Sequence, residues 1–215
     1  EINKAKSSFN KAEVKFGKAN VKHLKSYIKK IKINRHKGRI VHGLVWHENG
    51  GNIMPIEISS IQPGSAKISA TGNLGFVMLD SIKLVEKVSL TSKYCFENSD
   101  EFKRDININI PESVIYKDGP SAGLALIVGV LSEYMNQEIP NNTAFTGELT
   151  LNGHIRGIGG LKEKLLGAYM HGITNIYIPK ENFRELRLVQ KRIKSTLSIH
   201  LVNHYEEVLD DLWMN

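Results

Sequence analysis

The sharpest chemical signal in this sequence is Lys117-Asp118-Gly119-Pro120-Ser121-Ala122-Gly123. A charged pair and a Gly-Pro turn lead into Ser121. Residues 121–134 are apolar around the whole circumference of a helix, which predicts burial on most sides. Ser121 is thus expected at a helix N-terminus, where unpaired backbone N–H groups and the positive end of the dipole favour negative charge. That setting suits an attacking alkoxide or a tetrahedral oxyanion. It equally suits a serine that only caps its helix. A serine hydroxyl is a weak nucleophile at neutral pH, so catalysis would need a base.

Two kinds of base can be weighed. Gly119-Pro120-Ser121-Ala122-Gly123 fits G-x-S-x-G, the nucleophile elbow of α/β-hydrolases. That elbow needs a strand running straight into the serine, yet the nearest strand pattern ends at Ile110 and residues 111–120 intervene. The hydrolase order of serine, acid and histidine also fails, because no His follows Asp210 or Asp211. The alternative is a lysine stripped of water, whose ammonium loses its proton more easily and can take one from serine near pH 7. Residues 159–168 offer Lys162 and Lys164 on one helix, and periodicity does not separate them. Most helical lysines are simply solvated. Gly157, Gly159 and Gly160 precede that helix, but no G-x-x-x-x-G-K-[ST] occurs, so a tight strand-to-helix connection is expected rather than a phosphate cradle. The eight histidines are scattered with no paired ligand spacing, and no metal site is expected. Cys95 is the only cysteine, which excludes an intrachain disulfide.

The elements that must position these residues form a mixed pattern. Residues 40–46 read as a strand, 48–51 as a turn and 52–61 as its hairpin partner. A short strand is expected at 66–71, a helix over 74–88, and a strictly alternating strand at 106–110 ended by Pro111. After the 121–134 helix come short strands within 143–158 with a turn at Asn152-Gly153, and a helix over 161–171 capped by Gly172. A strand at 176–179, a helix from Glu181, a strand near 197–202 and a helix over 205–213 complete the chain. The expected class is α+β, with mixed sheets and flanking helices.

Composition divides the chain in two. At 215 residues and 41% hydrophobic content it can build one good core. Residues 1–40 hold thirteen Lys or Arg against two Glu, a net +11, which leaves −4 for the rest of a chain whose total is +7. Residues 1–38 therefore read as a basic arm, with a helical stretch at 21–31, ahead of a domain at 39–215. The arm's field suits weak contact with nucleic acid, although a solvated lysine-rich linker has the same composition. No apolar run approaches the roughly 20 residues needed to span a bilayer. The chain opens on Glu1 and shows no signal-peptide pattern, so a segment of a longer polypeptide is expected.

Taken together, the motifs resemble the proteolytic domain of the Lon protease family over residues 38–203. The resemblance is carried by Val41-His42-Gly43-Leu44-Val45-Trp46 with Gly50-Gly51, and by Thr71-Gly72-Asn73-Leu74-Gly75-Phe76-Val77-Met78. It continues through residues 117–123, Thr146-Gly147-Glu148-Leu149-Thr150-Leu151-Asn152-Gly153 and residues 158–166, in the family's order and spacing. It implies a Lon-type α+β peptidase fold and a serine–lysine dyad of Ser121 and Lys164, 43 residues apart. Thr146 is implied as the threonine that orients the lysine amine, with Asp118, Gly119 and Pro120 as supporting residues and Trp46 and Tyr116 as substrate-binding residues. It further implies an ATP-dependent serine endopeptidase acting on unfolded or regulatory proteins. A homohexameric ring follows, with an ATPase module upstream that carries ATP and Mg²⁺, no cofactor in this segment, and no membrane. The implied location is the cytoplasm of a bacterium or the mitochondrial matrix. His47 stands where many members have Thr, Tyr116 replaces a common Pro, and Asn107 and Asn109 occupy positions that are often His. None of these touches the dyad, though Tyr116 borders the serine turn.

Overall fold

The computed structural model describes residues 39–47, 50–95 and 104–214. The basic arm and the helix expected at 21–31 lie outside the described residues, as do Glu48 and Asn49 of the expected turn.

Nine strands are described: β1 Arg39–His47, β2 Gly50–Ile61, β3 Ile68–Thr71, β4 Asp105–Asn109, β5 Thr143–Phe145, β6 Glu148–Leu149, β7 Ile155–Arg156, β8 Asn175–Pro179 and β9 Ser198–Val202. Seven of them form one sheet in the order β3-β4-β2-β1-β5-β8-β9, while β6 and β7 make a separate antiparallel pair. The half containing β1, β2 and β4 is antiparallel, and the half containing β1, β5, β8 and β9 is parallel. The parallel half needs crossovers, and the intervening helices supply them. These are α1 Phe76–Thr91, α2 Gly123–Tyr134, α3 Leu161–Met170 and α4 Lys191–Thr196, whereas α5 Tyr205–Trp213 follows β9.

Alternate strand residues feed two apolar clusters. Val41, Phe145 and Tyr177 join one cluster with α1, α2 and α5, whereas Leu44, Ala144, Ile176 and Ile178 join another with α3 and α4. Because successive strand side chains point to opposite faces, the two clusters lie on opposite sides of the sheet. All twelve residues of α2 are buried, which accounts for a helix apolar all round. Its Gly129 lies so close to the sheet that a Cβ there would sit 2.4 Å from Ile58 and 2.8 Å from Val41. The buried Glu133 near its C-terminus accepts from Ser60 Oγ at 2.6 Å and pairs with Arg39 Nε at 3.5 Å, which compensates its charge. No described helix is long and apolar enough to cross a membrane.

Three differences from the expected elements have local causes. The strand expected from residue 66 begins at Ile68, because Ala66 has φ 61° and the Asp105 carboxylate takes the N–H groups of Ser65 and Lys67. The helix expected from Leu74 begins at Phe76, because Leu74 bridges to Lys117 instead. The helix expected from Glu181 is a 3₁₀ helix, Lys180–Leu188, set by side-chain bonds: Asn182 holds both the N–H and the C=O of Ile158, and Glu181 takes the N–H of Gly157.

Candidate active site

The site is assembled where the carboxyl end of β5 meets one helix from each face of the sheet. Ser121 comes from the α2 side. It is the middle residue of a 3₁₀ turn, Pro120–Ala122, and α2 itself begins only at Gly123. Pro120 supplies the preset φ that opens such a turn, and Gly119 before it has φ 114°, a conformation suited to glycine. The first N–H groups of a turn have no carbonyl behind them, so Ser121 and Ala122 present donors at its mouth. Gly123 lets the turn lie against β6, since a Cβ there would stand 2.7 Å from Leu149 N. The N–H of Gly147 donates to Ser121 O at 2.9 Å, and the N–H of Leu124 donates to Gly147 O at 3.0 Å.

Lys164 comes from the other face. On α3 the buried stripe is Leu161, Lys164, Leu165 and Ala168, so the lysine occupies a core position at i, i+3, i+4, i+7 spacing. The two candidate bases now separate: Lys162 is exposed, and Lys164 is only 2% exposed. Its Nζ lies 2.9 Å from Ser121 Oγ and 3.1 Å from Thr146 Oγ1. Thr146, fully buried just after β5, donates from Oγ1 to Ser121 O at 3.3 Å and from its N–H to Tyr177 O at 3.1 Å. No carboxylate among the described residues is paired with Lys164. Burial without a counter-charge pushes its pKa down to about 8. The amine can therefore exist neutral near physiological pH, with its lone pair beside the serine hydroxyl.

Glycines seat α3 at this depth. A Cβ on Gly51 of β2 would stand 1.8 Å from Glu163 O, and one on Gly167 would stand 2.4 Å from the carbonyl carbon of Gly51. Helix backbone thus rests directly on strand backbone on either side of Lys164. Gly51, expected in a turn, lies in β2, and the close approach is its structural job. The signal that could have revealed it was Gly167, since a glycine inside a helix costs about 1 kcal/mol against alanine unless something must come close.

The hydrogen bonds of Asp118 go elsewhere than to the dyad. Its carboxylate accepts from Met78 N at 2.9 Å and Gly119 N at 2.8 Å and from the Tyr116 hydroxyl at 3.1 Å. These bonds, the one from Met78 foremost, hold its pKa below the usual carboxylate range. It caps α1, whose own N-cap, Gly75, has no side chain to do so. Trp46 and Tyr116, both largely exposed, line a groove of about 690 Å³ that also takes in Ser121, Lys164, Met54 and Ile115. The Trp46 ring packs on Gly160 at the start of α3, where a Cβ would stand 2.3 Å from Cδ1. In the sequence Lys117 looks like one half of a charged pair with Asp118. The structure gives its ammonium three main-chain carbonyls, Glu112 O at 2.7 Å, Ile115 O at 2.9 Å and Gly72 O at 3.1 Å.

Such a groove, with a serine at a turn's mouth and a buried amine against its hydroxyl, can carry out acyl transfer. Comparison with known proteins points the same way. Residues 18–215 match the family profile of the Lon protease (S16) C-terminal proteolytic domain. The chain is 41% identical over 174 residues to the Lon protease of Buchnera aphidicola, covering 80% of this chain and 22% of that protein. It is 42% identical over 171 residues to the Lon protease of Haemophilus influenzae, covering 79% of this chain and 21% of that one. With the Lon protease of Malacoplasma penetrans it shares 38% over 176 residues, covering 81% of this chain and 22% of that protein. The chain thus spans about a fifth of the length of these relatives.

Proposed function

The chain belongs to the Lon protease family, and from that premise we propose that it is a serine peptidase domain in which Ser121 is the nucleophile and Lys164 the general base. The observation that carries this reading is the 2.9 Å approach of a buried, uncompensated amine to the Ser121 hydroxyl.

In the proposed cycle an extended polypeptide lies in the groove beside the serine loop, held mainly through its backbone, with Trp46 and Tyr116 touching its side chains. Neutral Lys164, oriented by Thr146, takes the Ser121 proton as the oxygen attacks the scissile carbonyl. The N–H groups at the mouth of the turn receive the oxyanion. The lysine then gives its proton to the leaving amine, which departs and leaves an acyl-enzyme. Lys164 next deprotonates a water that attacks the ester, and the acid product and free serine are released. With a pKa of about 8, about a tenth of the lysine is neutral at pH 7.

The same reading covers the rest of the polypeptide. Residues 1–38 are the connector or tail of an upstream ATPase module, and residues 39–215 are the peptidase. ATP and Mg²⁺ act in that module. A homohexameric ring passes unfolded or regulatory proteins to Ser121 in an ATP-dependent manner, in the cytoplasm as befits the bacterial relatives. Weak contact of the basic arm with nucleic acid is compatible with this role.

The deciding experiment is covalent labelling of the chain by a fluorophosphonate, with the modified residue located by peptide mass spectrometry. Label on Ser121 that disappears in Ser121→Ala is expected; undiminished labelling of that variant would end the assignment.

A further inference from the structure

We propose that Lys117 is a positioning residue for acylation, its ammonium fixing the loop of residues 111–119 so that Ser121 is presented to Lys164. This inference rests on the dyad reading given above.

The loop has little reason to hold its shape unaided. Glu112 has φ 63° and Gly119 has φ 114°, and across from the loop Gly72 has φ 131° and Asn73 has φ 57°. Left-handed backbone at non-glycine residues is held by its surroundings rather than by local preference. Most of the loop is exposed, so apolar packing does not fix it either. Lys117 supplies the missing constraint. Its three ammonium protons go to Glu112 O, Ile115 O and Gly72 O, all within 2.7–3.1 Å, which uses every donor the group has. Two of those carbonyls belong to the loop and the third to the segment beside it. One ammonium therefore closes the loop on itself and ties it to the body of the domain.

The main chain of Lys117 repeats the tie. Its N–H donates to Asn73 O at 3.1 Å, and its carbonyl accepts from Gly75 N at 2.8 Å. The next residue makes the complementary attachment, because the Asp118 carboxylate takes the Met78 N–H at the start of α1. Neighbouring cation and anion thus ignore each other and bind opposite backbone groups, carbonyls and N–H groups respectively. The serine turn begins two residues later, at Pro120.

Lys117 acts on geometry rather than on charge. The depressed pKa of Lys164 has burial as its cause, with no contribution from the Lys117 charge. Its removal should therefore slow the chemical step without moving the pH at which the step switches on. A loop that lets the serine drift by about 1 Å should cost about 10²-fold in rate.

The test measures Ser121 acylation by a fluorophosphonate, and hydrolysis of a fluorogenic peptide, across pH 6–10 in the full chain. Lys117→Met should lower the acylation rate and kcat about 10²-fold, leave KM within about twofold, and keep the wild-type pH midpoint. In a Cys95→Ser background, which removes the chain's only native cysteine, Lys117→Cys should show the same loss. Aminoethylation of that cysteine returns an ammonium at nearly the same reach, and it should recover at least about tenfold of the rate, even if the untreated variant folds poorly. A wild-type rate in Lys117→Met, a midpoint displaced by a full pH unit, a rise confined to KM, or no recovery on aminoethylation would each overturn the positioning role. Wild-type chain that takes no label at Ser121 would instead strike the dyad reading itself.

Discussion

Among the described residues two serines have a nitrogen base within reach of the hydroxyl, and they differ in almost everything else. Ser198 on the outer strand β9 has its Oγ 3.1 Å from His200 Nε2, and His200 Nδ1 lies 3.2 Å from Asp211 Oδ2. By hydrogen-bond order alone this is a serine–histidine–aspartate relay. Ser121 has only a lysine. Yet Ser198 is exposed, and the His200 and Asp211 side chains are 34% and 42% exposed. The Ser198 N–H is already spent on Thr174 O at 2.7 Å, so it cannot serve an oxyanion. The relay has another use: Asp211 also accepts from the Tyr177 hydroxyl at 2.5 Å, and His200 stacks on that ring, which fastens α5 to β8 and β9. At Ser121 the base is buried, the turn offers unspent N–H groups and a groove opens in front. The difference teaches that a base within reach does not make a nucleophile; exclusion of water and donors waiting for developing charge do.

The widest gap between the two regions should appear on removing each base. Lys164→Ala is expected to lower peptide hydrolysis about 10²–10⁴-fold or more, while exposed Lys162→Ala stays close to wild type. The reverse pattern in a peptidase assay would transfer the base to Lys162. The pH profile sharpens the contrast. Only the unprotonated Lys164 can accept a proton, and its pKa is pushed down to about 8 by burial. Acylation should therefore rise about tenfold per pH unit below that value and level off above it. A profile that instead rises and levels near pH 6–7 would indicate a histidine base rather than a lysine.

The sequence carried the order and type of most elements, because hydrophobic period is a local property. The buried α2 and the alternating β4 are examples. It could not choose between Lys162 and Lys164. Which of two lysines faces the core depends on how α3 seats on β2, and that is set by backbone contact at Gly51 and Gly167. The motif resemblance named Lys164, and the structure supplies the physical reason for its burial. Lys117 and Asp118 are adjacent in sequence and look like an ion pair, yet each binds backbone far along the chain. The misread 3₁₀ helix at Lys180–Leu188 fails for the same reason, since its shape is fixed by Ile158 and Gly157 across the fold. Local pattern reports propensity, whereas the site is made of long-range contacts.

Burial of a functional lysine also predicts a conflict between activity and stability that the exposed relay should lack. The folded-state pKa of Lys164 lies below its ordinary value of 10.5, so the unfolded chain holds that proton more tightly. The folding penalty is fully present below about pH 8 and fades as pH rises towards 10.5. Lys164→Met fills similar space without a charge, although it leaves Thr146 and Ser121 with fewer partners. Denaturant unfolding at pH 7 should show the variant about 1–3 kcal/mol more stable than wild type and inactive, with the advantage shrinking above pH 8. A variant less stable at every pH would show that the lysine's hydrogen bonds outweigh its desolvation.

The smallest effects should come from the relay that looks more like an enzyme. Ser198→Ala removes a hydroxyl whose bond to His200 is open to water, so hydrolysis and fluorophosphonate labelling should stay within about twofold of wild type. His200→Ala also removes the ring stacked on Tyr177, so it should lower stability by about 0.5–1.5 kcal/mol, the range for an aromatic contact, while the rate constants hold. The relay does have one hydrogen-bonded route to the site, because Tyr177 receives the Thr146 N–H through its carbonyl. That bond is made by the backbone of β8, which parallel pairing with both β5 and β9 holds independently of the His200 ring. A loss of kcat in His200→Ala well beyond its loss of stability would mean that the ring sets the position of Thr146. The two regions would then be parts of one device.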